Sequence, residues 1–215
     1  MHKPSVGLAP EGAPFIVFLA IYALTFAALR WWCPALICLA ATWCCGYFFR
    51  DPERVISIEP DVAVSPADGK ILSVETRPEP FTDAQHVRIS IFMSVCNVHV
   101  NRFPLAGKVE RILYHPGAFF NASSDKAPEK NERCAYLIRD ADGHAWTMVQ
   151  VAGLLARRIV CRAEQGDELA RGQRYGMIRF GSRVDLYLPE AYIPHVYVGD
   201  TVKAGESILA RKRPA

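Results

Sequence analysis

The sequence predicts a mainly β fold: a compact, barrel-sandwich-like β domain preceded by an N-terminal hydrophobic helical hairpin. Three observations carry that prediction. The chain opens with two uncharged runs, residues 14–29 and 31–49, parted only by Arg30. Beyond Arg54 the apolarity breaks into alternation, and no long amphipathic helical pattern follows. One turn-like pattern, Gly-Asp-x-apolar-x-x-Gly, occurs twice, as Gly166-Asp167-Glu168-Leu169-Ala170-Arg171-Gly172 and as Gly199-Asp200-Thr201-Val202-Lys203-Ala204-Gly205. The 215 residues, 51% of them hydrophobic, suit one globular domain with something added in front. The expected division is a membrane-associated segment over 1–54 and a β domain over 55–215.

The front segment comes first in the argument because it bears on the substrate. A hydrocarbon core about 30 Å thick needs ~20 helical residues, with about 17 as a practical minimum. The run 31–49 is long enough to cross, 14–29 barely so, and a re-entrant hairpin is an equally good use of both. A cleaved signal peptide is the competing reading, but its basic leader is weak here and 31–49 would then be a stop-transfer anchor. Trp31, Trp32, Trp43, Tyr47, Phe48 and Phe49 are aromatics suited to a lipid interface. Arg50 and Arg54 would then face cytoplasmic headgroups, which places the protein at the inner (cell) membrane with its domain on the cytoplasmic side.

Within the domain, Val87, Ile89, Ile91, Met93 and Val95 alternate with Arg88, Ser90, Phe92 and Ser94, the period of a half-buried strand. If the chain continues extended, Asn97, His99 and Asn101 face one way and Val98 and Val100 the other. The runs 134–138 and 144–151 flank Asp140-Ala141-Asp142-Gly143, a good hairpin turn. Residues 126–133 are polar and read as a loop.

Composition removes several function classes. Four of the seven cysteines (Cys33, Cys38, Cys44, Cys45) lie in the apolar front, and no paired Cys-x-x-Cys exists, so reduced thiols and no metal are expected. A net charge of +3 is too small to argue for nucleic acid. The hydrolase elbow Gly-x-Ser-x-Gly, glycine-rich phosphate loops and His-Glu-x-x-His are all absent from the sequence.

What remains is Arg179-Phe180-Gly181-Ser182-Arg183-Val184-Asp185, which holds the one Gly-Ser pair of the chain. A serine after glycine can attack the preceding carbonyl where the turn is strained, because Gly181 lacks a Cβ. The amide becomes an ester, elimination leaves a dehydroalanine at 182, and hydrolysis yields a pyruvoyl group and ammonia, with the chain cut in two. A pyruvoyl carbonyl is an electron sink. Taken alone, each candidate has a plainer reading: Gly181-Ser182 as a β-turn, Asp68-Gly69 as a turn pair, His99 as a strand histidine. His115, before Pro116-Gly117, suits a turn or a substrate contact.

The company these residues keep is more specific. Phe48-Phe49-Arg50-Asp51-Pro52, Ser65-Pro66-Ala67-Asp68-Gly69-Lys70, Asn97-Val98-His99-Val100-Asn101-Arg102 and His115-Pro116-Gly117 occur in that order. Asn121-Ala122, Asn131-Glu132-Arg133, Ala152-Gly153-Leu154-Leu155-Ala156-Arg157-Arg158 and 174–182 follow. From about Phe48 onward the chain resembles phosphatidylserine decarboxylase proenzymes of the short bacterial and archaeal type. The resemblance implies self-cleavage between Gly181 and Ser182 into a β chain (to 181) and an α chain (182–215) that remain partners, with a covalent pyruvoyl cofactor derived from Ser182. It implies a pyruvoyl-dependent carboxy-lyase in which phosphatidylserine forms a Schiff base, loses CO2 and leaves as phosphatidylethanolamine. By position, Asp68 and His99 match the Asp and His that activate the serine, the Asp orienting the His. The long bacterial branch has a second histidine three positions after the first, where this chain has Arg102. Arg102 could alternatively hold the substrate carboxylate or phosphate, and His115 is the other candidate contact.

Two rivals are weighed against this. A membrane-tethered carrier or binding module fits the repeated turns, which resemble those of biotinyl and lipoyl domains, but neither Lys70 nor Lys203 sits in the hairpin such carriers modify. A soluble pyruvoyl-dependent amino acid decarboxylase shares the chemistry but has no use for the apolar front. Membrane lipid is thus the expected partner, with room for a homo-oligomer.

Overall fold

The computed structural model describes residues 7–118, 131–153, 159–179 and 181–214. The expectations placed on residues 121–122, 126–130, 154–158 and Phe180 lie outside the described residues. The chain forms two compact units, Met1–Glu53 and Arg54–Ala215.

The first unit is a pair of helices, α1 (Ala13–Ala28) and α2 (Trp32–Phe48), after a short 3-10 turn at Pro10–Gly12. They run antiparallel: Arg30 reverses the chain at φ +61°, and Phe15 near the start stacks on Phe49 at the end, ring centroids 5.9 Å apart. Helix limits reverse the expected lengths. With its leading turn the first helical stretch, Pro10–Ala28, is 19 residues and apolar enough to cross a membrane, whereas Trp32–Phe48 is 17. Large side chains point outward all round the pair, among them Phe18, Leu24, Ile37 and Trp43, which suits an apolar surrounding better than water. Thr25 and Thr42 return their hydroxyls to the carbonyls of Ile21 and Cys38, so neither leaves a donor unsatisfied there.

Among the described residues the second unit forms only strands: β1 (Val62–Val64), β2 (Gly69–Pro78), β3 (Gln85–Met93), β4 (Val100–Arg102), β5 (Gly107–His115), β6 (Arg133–Arg139), β7 (Ala145–Val151), β8 (Ile159–Cys161), β9 (Glu168–Leu169), β10 (Arg174–Ile178), β11 (Ser182–Leu188), β12 (Tyr192–Pro194), β13 (Thr201–Val202) and β14 (Ile208–Lys212). An eight-stranded sheet in the order β13-β2-β3-β11-β7-β6-β5-β9 is accompanied by two three-stranded sheets, β1-β14-β12 and β4-β10-β8. One core, containing Ile89, Ile91, Met93, Tyr136, Trp146, Met148, Val184 and Leu186 from the large sheet, is closed by Ala63, Phe103, Tyr175, Tyr192 and Leu209.

The large sheet repeats itself when read from its two edges, and the repetition extends to individual bonds. The Val64 amide donates to the Pro104 carbonyl at 2.8 Å and the Arg102 amide to the Pro66 carbonyl at 2.9 Å. The Ile71 amide donates to the Asp200 carbonyl, the Val109 amide to that of Asp167, both at 2.9 Å. The Gly205 amide donates to Ser65 O and the Gly172 amide to Phe103 O, both at 2.8 Å. Pro66-Ala67-Asp68-Gly69-Lys70-Ile71 and Pro104-Leu105-Ala106-Gly107-Lys108-Val109 are thus the same feature twice, and the doubled Gly-Asp turns are its companions. Gly69 and Gly107 have one physical reason: a Cβ at either would run into a carbonyl of the next strand, Phe92 O or Arg139 O. The expected hairpin is present: β6 and β7 flank Gly143 at φ +84°, and Asp140 Oδ1 accepts the His144 amide at 2.8 Å.

One expectation about β3 changes. Val87, Ile89, Ile91 and Met93 do face the core side, but Arg88 and Ser90 on the opposite face are buried as well. The reason is a second layer of polar packing: buried Arg183 donates to Asp185 Oδ1 at 2.6 Å and to Ser90 Oγ at 2.7 Å, while Arg88 binds Glu75.

Candidate active site

Ser182 is the first residue of β11 and lies directly across from Met93, the last residue of β3. Strand alternation turns Ser182 inward with Val184 and Leu186, so its side chain is wholly buried. Its hydroxyl donates to a weak acceptor, the Met93 sulfur, at 3.4 Å. Gly181 stands just before the strand at φ +62°, and a Cβ there would meet nothing within 4 Å. Only its backbone conformation, not crowding, favours glycine at that position.

His99 enters from the segment leading into β4. Its Nδ1 lies 2.9 Å from the Asn97 carbonyl oxygen and its Nε2 lies 3.4 Å from the Gly181 amide nitrogen. A carbonyl can only accept and an amide N–H can only donate. The proton therefore sits on Nδ1, and Nε2 presents its lone pair to the Gly181-Ser182 segment. The ring is fully buried.

Period two also carries Asn101 to the same side as His99, and here the structure adds residues that the sequence reading passed over. Tyr136 donates to Gln150 Oε1 at 3.1 Å, Gln150 Nε2 donates to Asn101 Oδ1 at 2.8 Å, and Asn101 Nδ2 reaches the Met93 sulfur at 3.7 Å. The chain ends on the Met93 sulfur, the same atom that accepts the Ser182 hydroxyl. Gln150 was detectable as a lone amide in the apolar strand Met148-Val149-Gln150-Val151, since a polar residue buried in a strand must find partners. Met93 was read only as a core residue.

At the far end of the chain, exposed Cys161 places its thiol 4.0 Å from Gln150 Oε1. The buried Cys134 thiol donates to it and brings Cys161 down to about 7 against the effect of burial. The same contact, with burial, pushes Cys134 far above its ordinary range.

The other sequence candidates are placed differently. Asp68 spends its carboxylate on Arg54 at 2.7 Å and on the Ala204 amide at 2.8 Å, so the atom that orients His99 is the Asn97 carbonyl rather than Asp68. Its turn is nonetheless at the Ser182 end of the sheet, because Gly69 packs on the Phe92 carbonyl next to Met93. Arg102 falls on the opposite side of β4 from Asn101, where it is buried and donates to the Gly172 carbonyl at 3.1 Å. His115 shares a row with Arg183 through Val151 and Arg133, three strands away or roughly 14 Å at about 4.8 Å per strand.

Comparison with known proteins bears on this arrangement. The family model described as phosphatidylserine decarboxylase matches residues 41–210. The chain is 57% identical over 214 residues to a phosphatidylserine decarboxylase proenzyme of Nitratidesulfovibrio vulgaris, covering 100% of this chain and 99% of that one. It is 57% identical over 213 residues to the proenzyme of the same name from Oleidesulfovibrio alaskensis, covering 99% and 98%. To that of Burkholderia pseudomallei it is 46% identical over 215 residues, covering 98% and 97%. The chain belongs to the phosphatidylserine decarboxylase family.

Proposed function

We propose that this protein is a phosphatidylserine decarboxylase made as a proenzyme, and that it cleaves itself between Gly181 and Ser182. The observation that carries the reading is the His99 lone pair at the Gly181 amide, one residue before a buried serine. In the uncleaved chain the Ser182 hydroxyl rests on a thioether and Nε2 holds a long bond from the Gly181 amide. Both are weak, so exchanging them for an O–H to Nε2 bond sacrifices little. His99 then takes the hydroxyl proton as Oγ adds to the Gly181 carbonyl and gives it to the Ser182 nitrogen as the amide C–N bond breaks, leaving an ester and a free amine. Loss of the Ser182 α-proton expels the Gly181 carboxylate, and hydrolysis of the resulting enamine releases ammonia and leaves a ketone at the new N-terminus.

The site suits such a group. Gly181 is unhindered, Ser182 is shielded from water, and the Asn101 amide nitrogen and the Ser182 hydroxyl share the Met93 sulfur as acceptor. Once formed, the pyruvoyl carbonyl supplies an electrophile for the substrate amine and a sink for the electrons freed when CO2 leaves. His99 is the group placed to hold or return a proton there, while Asn101 and Gln150 fix polar direction in a buried setting. Asp68 supports the site through Arg54 and the Ala204 turn. Arg102 and His115 take no part in the cleavage step and remain candidates for contacts to the substrate headgroup. The apolar stretch Pro10–Ala28, long enough to cross a membrane, supports a membrane location, which is where a diacyl substrate resides, and Arg50 and Arg54 favour the cytoplasmic face.

The test is release of labelled CO2 from carboxyl-labelled phosphatidylserine. Wild type should release it and Ser182→Ala should not. Equal release from both would refute the assignment.

A further inference from the structure

The two Gly-Asp turns are equivalent in backbone and opposite in character. In one, the Tyr197 amide donates to Asp200 Oδ2 at 2.8 Å and the Asp200 amide to Tyr197 O at 3.1 Å. In the other, the Glu164 amide donates to Asp167 Oδ2 at 2.9 Å and the Asp167 amide to Glu164 O at 3.2 Å. Each turn is tied to the large sheet in the same way, Gly199 N to Ile71 O at 2.9 Å and Gly166 N to Val109 O at 2.8 Å. The tip of the second is Glu164-Gln165, the usual solution for a turn in water. The tip of the first is Tyr197-Val198, with Tyr197 80% and Val198 65% exposed.

Register decides where these tips lie. Lys70, Phe92, Arg183, Val151, Arg133 and His115 form one row across the sheet, and Ser182 is one residue from it. The Tyr197-Val198 turn is anchored on Ile71, next to that row. The Glu164-Gln165 turn is anchored on Val109, next to Lys108, Arg139 and Ala145, at the opposite end. Two further large apolar side chains, Val95 just after β3 and Tyr114 near the end of β5, are 45% and 52% exposed at the Ser182 end. Exposed Lys70 lies beside the tip, its Cε 3.9 Å from a Cβ built on Gly199.

We propose that the Tyr197-Val198 tip is a membrane-inserting contact of the catalytic domain, which presents the Ser182 end of the sheet to a lipid surface carrying anionic headgroups. This rests on the proposed activity. Tyr and Val enter the interface, the Asp200 cap keeps the turn rigid so that little order is lost on insertion, and Lys70 meets the negative headgroups. The occupant is a bilayer rather than a protein groove because the feature is a narrow convex tip with a cation at its base. A lipid whose reacting headgroup must reach a buried site also gains from a domain already oriented toward it.

The experiment uses the full chain reconstituted in phosphatidylcholine vesicles, with a Tyr197→Asp/Val198→Asp variant and a Glu164→Ala/Gln165→Ala variant of the matching turn. Rates are measured on long-chain phosphatidylserine diluted in the bilayer and on a short-chain, monomeric phosphatidylserine in solution. The tip variant should lose about tenfold or more in kcat/KM on bilayer substrate. It should keep its self-cleavage and its rate on monomeric substrate, and the matching-turn variant should change neither. An unchanged bilayer rate, or an equal fall on both substrate forms, would overturn the inference while leaving the activity standing. A wild-type chain inactive on both forms would sink the parent reading and this one with it.

Discussion

His99 Nε2 lies 3.4 Å from the amide nitrogen of Gly181, with its lone pair toward that N–H and one residue from the buried Ser182. Replacing His99 by Ala should slow appearance of the small chain by about 10²–10⁴-fold, the usual worth of a positioned base. Time-resolved gel electrophoresis after synthesis measures it, and cleavage at the wild-type rate would remove His99 from the step.

Asn101 and Gln150 act as one unit. Asn101→Leu leaves the Gln150 NH2 buried without its acceptor, which should destabilise the chain by ~1–3 kcal/mol. The double variant Asn101→Leu/Gln150→Leu should cost less than the sum of the singles, with a coupling of about 1 kcal/mol. Thermal unfolding of the four proteins in one detergent closes that cycle, and strict additivity would contradict the hydrogen-bonded chain.

At Gly181 the expected penalty is conformational. With φ at +62° and open space around the missing Cβ, Gly181→Ala should cost ~1–2 kcal/mol in backbone strain and slow cleavage. Gly181→Asn should be milder, because Asn tolerates that region. The order Gly, Asn, Ala in cleavage rate checks it.

The Arg54 and Asp68 side chains are only 10% and 11% exposed, and removing Asp68 leaves Arg54 with the longer pair to Glu206 at 3.6 Å. Asp68→Ala should destabilise by roughly 3 kcal/mol. If Asp68 works through the scaffold, Arg54→Met should slow cleavage to a similar degree. A large effect of Asp68→Ala beside none for Arg54→Met would instead give Asp68 a direct part.

The thiolate, not the thiol, reacts with alkylating agents. Cys161, held below the ordinary thiol range by the Cys134 thiol, should therefore react at lower pH than an ordinary exposed cysteine and faster as pH rises. Cys134→Ala removes that donor and should move the midpoint up toward about 8.5, the ordinary value. Peptide mass spectrometry across pH 5.5–9.5 follows Cys161 separately from the other cysteines.

Much of this was legible in the residues. The uncharged runs implied the helices, alternation implied β3, and Asp140-Ala141-Asp142-Gly143 implied its hairpin, because each signal is local. The doubled turns pointed to a repeated architecture. The second repeat, Pro66 to Ile71 with Pro104 to Val109, shares only the short pattern Pro-x-x-Gly-Lys-apolar, which takes its meaning from the paired backbone bonds. Burial of Arg88 and Ser90 on the second face of β3 was hidden for a similar reason: their partners, Glu75, Asp185 and Arg183, come from other strands. At the site, the sequence order brought Ser182 and His99 forward together. Asp68 is paired with His99 by position in the family pattern, whereas in the fold a neighbouring backbone carbonyl, Asn97 O, lies against His99 Nδ1 and Asp68 binds Arg54 and the Ala204 amide. Asn101 and Gln150 are 49 positions apart, and nothing local couples them.

The most direct test of the central claim is the intact mass of the purified chain beside Ser182→Ala. The account predicts that wild type gives two chains, one ending at Gly181 and one spanning 182–215 with a ketone-blocked N-terminus, while the variant remains whole. A wild-type preparation that is folded, active on phosphatidylserine and still a single chain would contradict it.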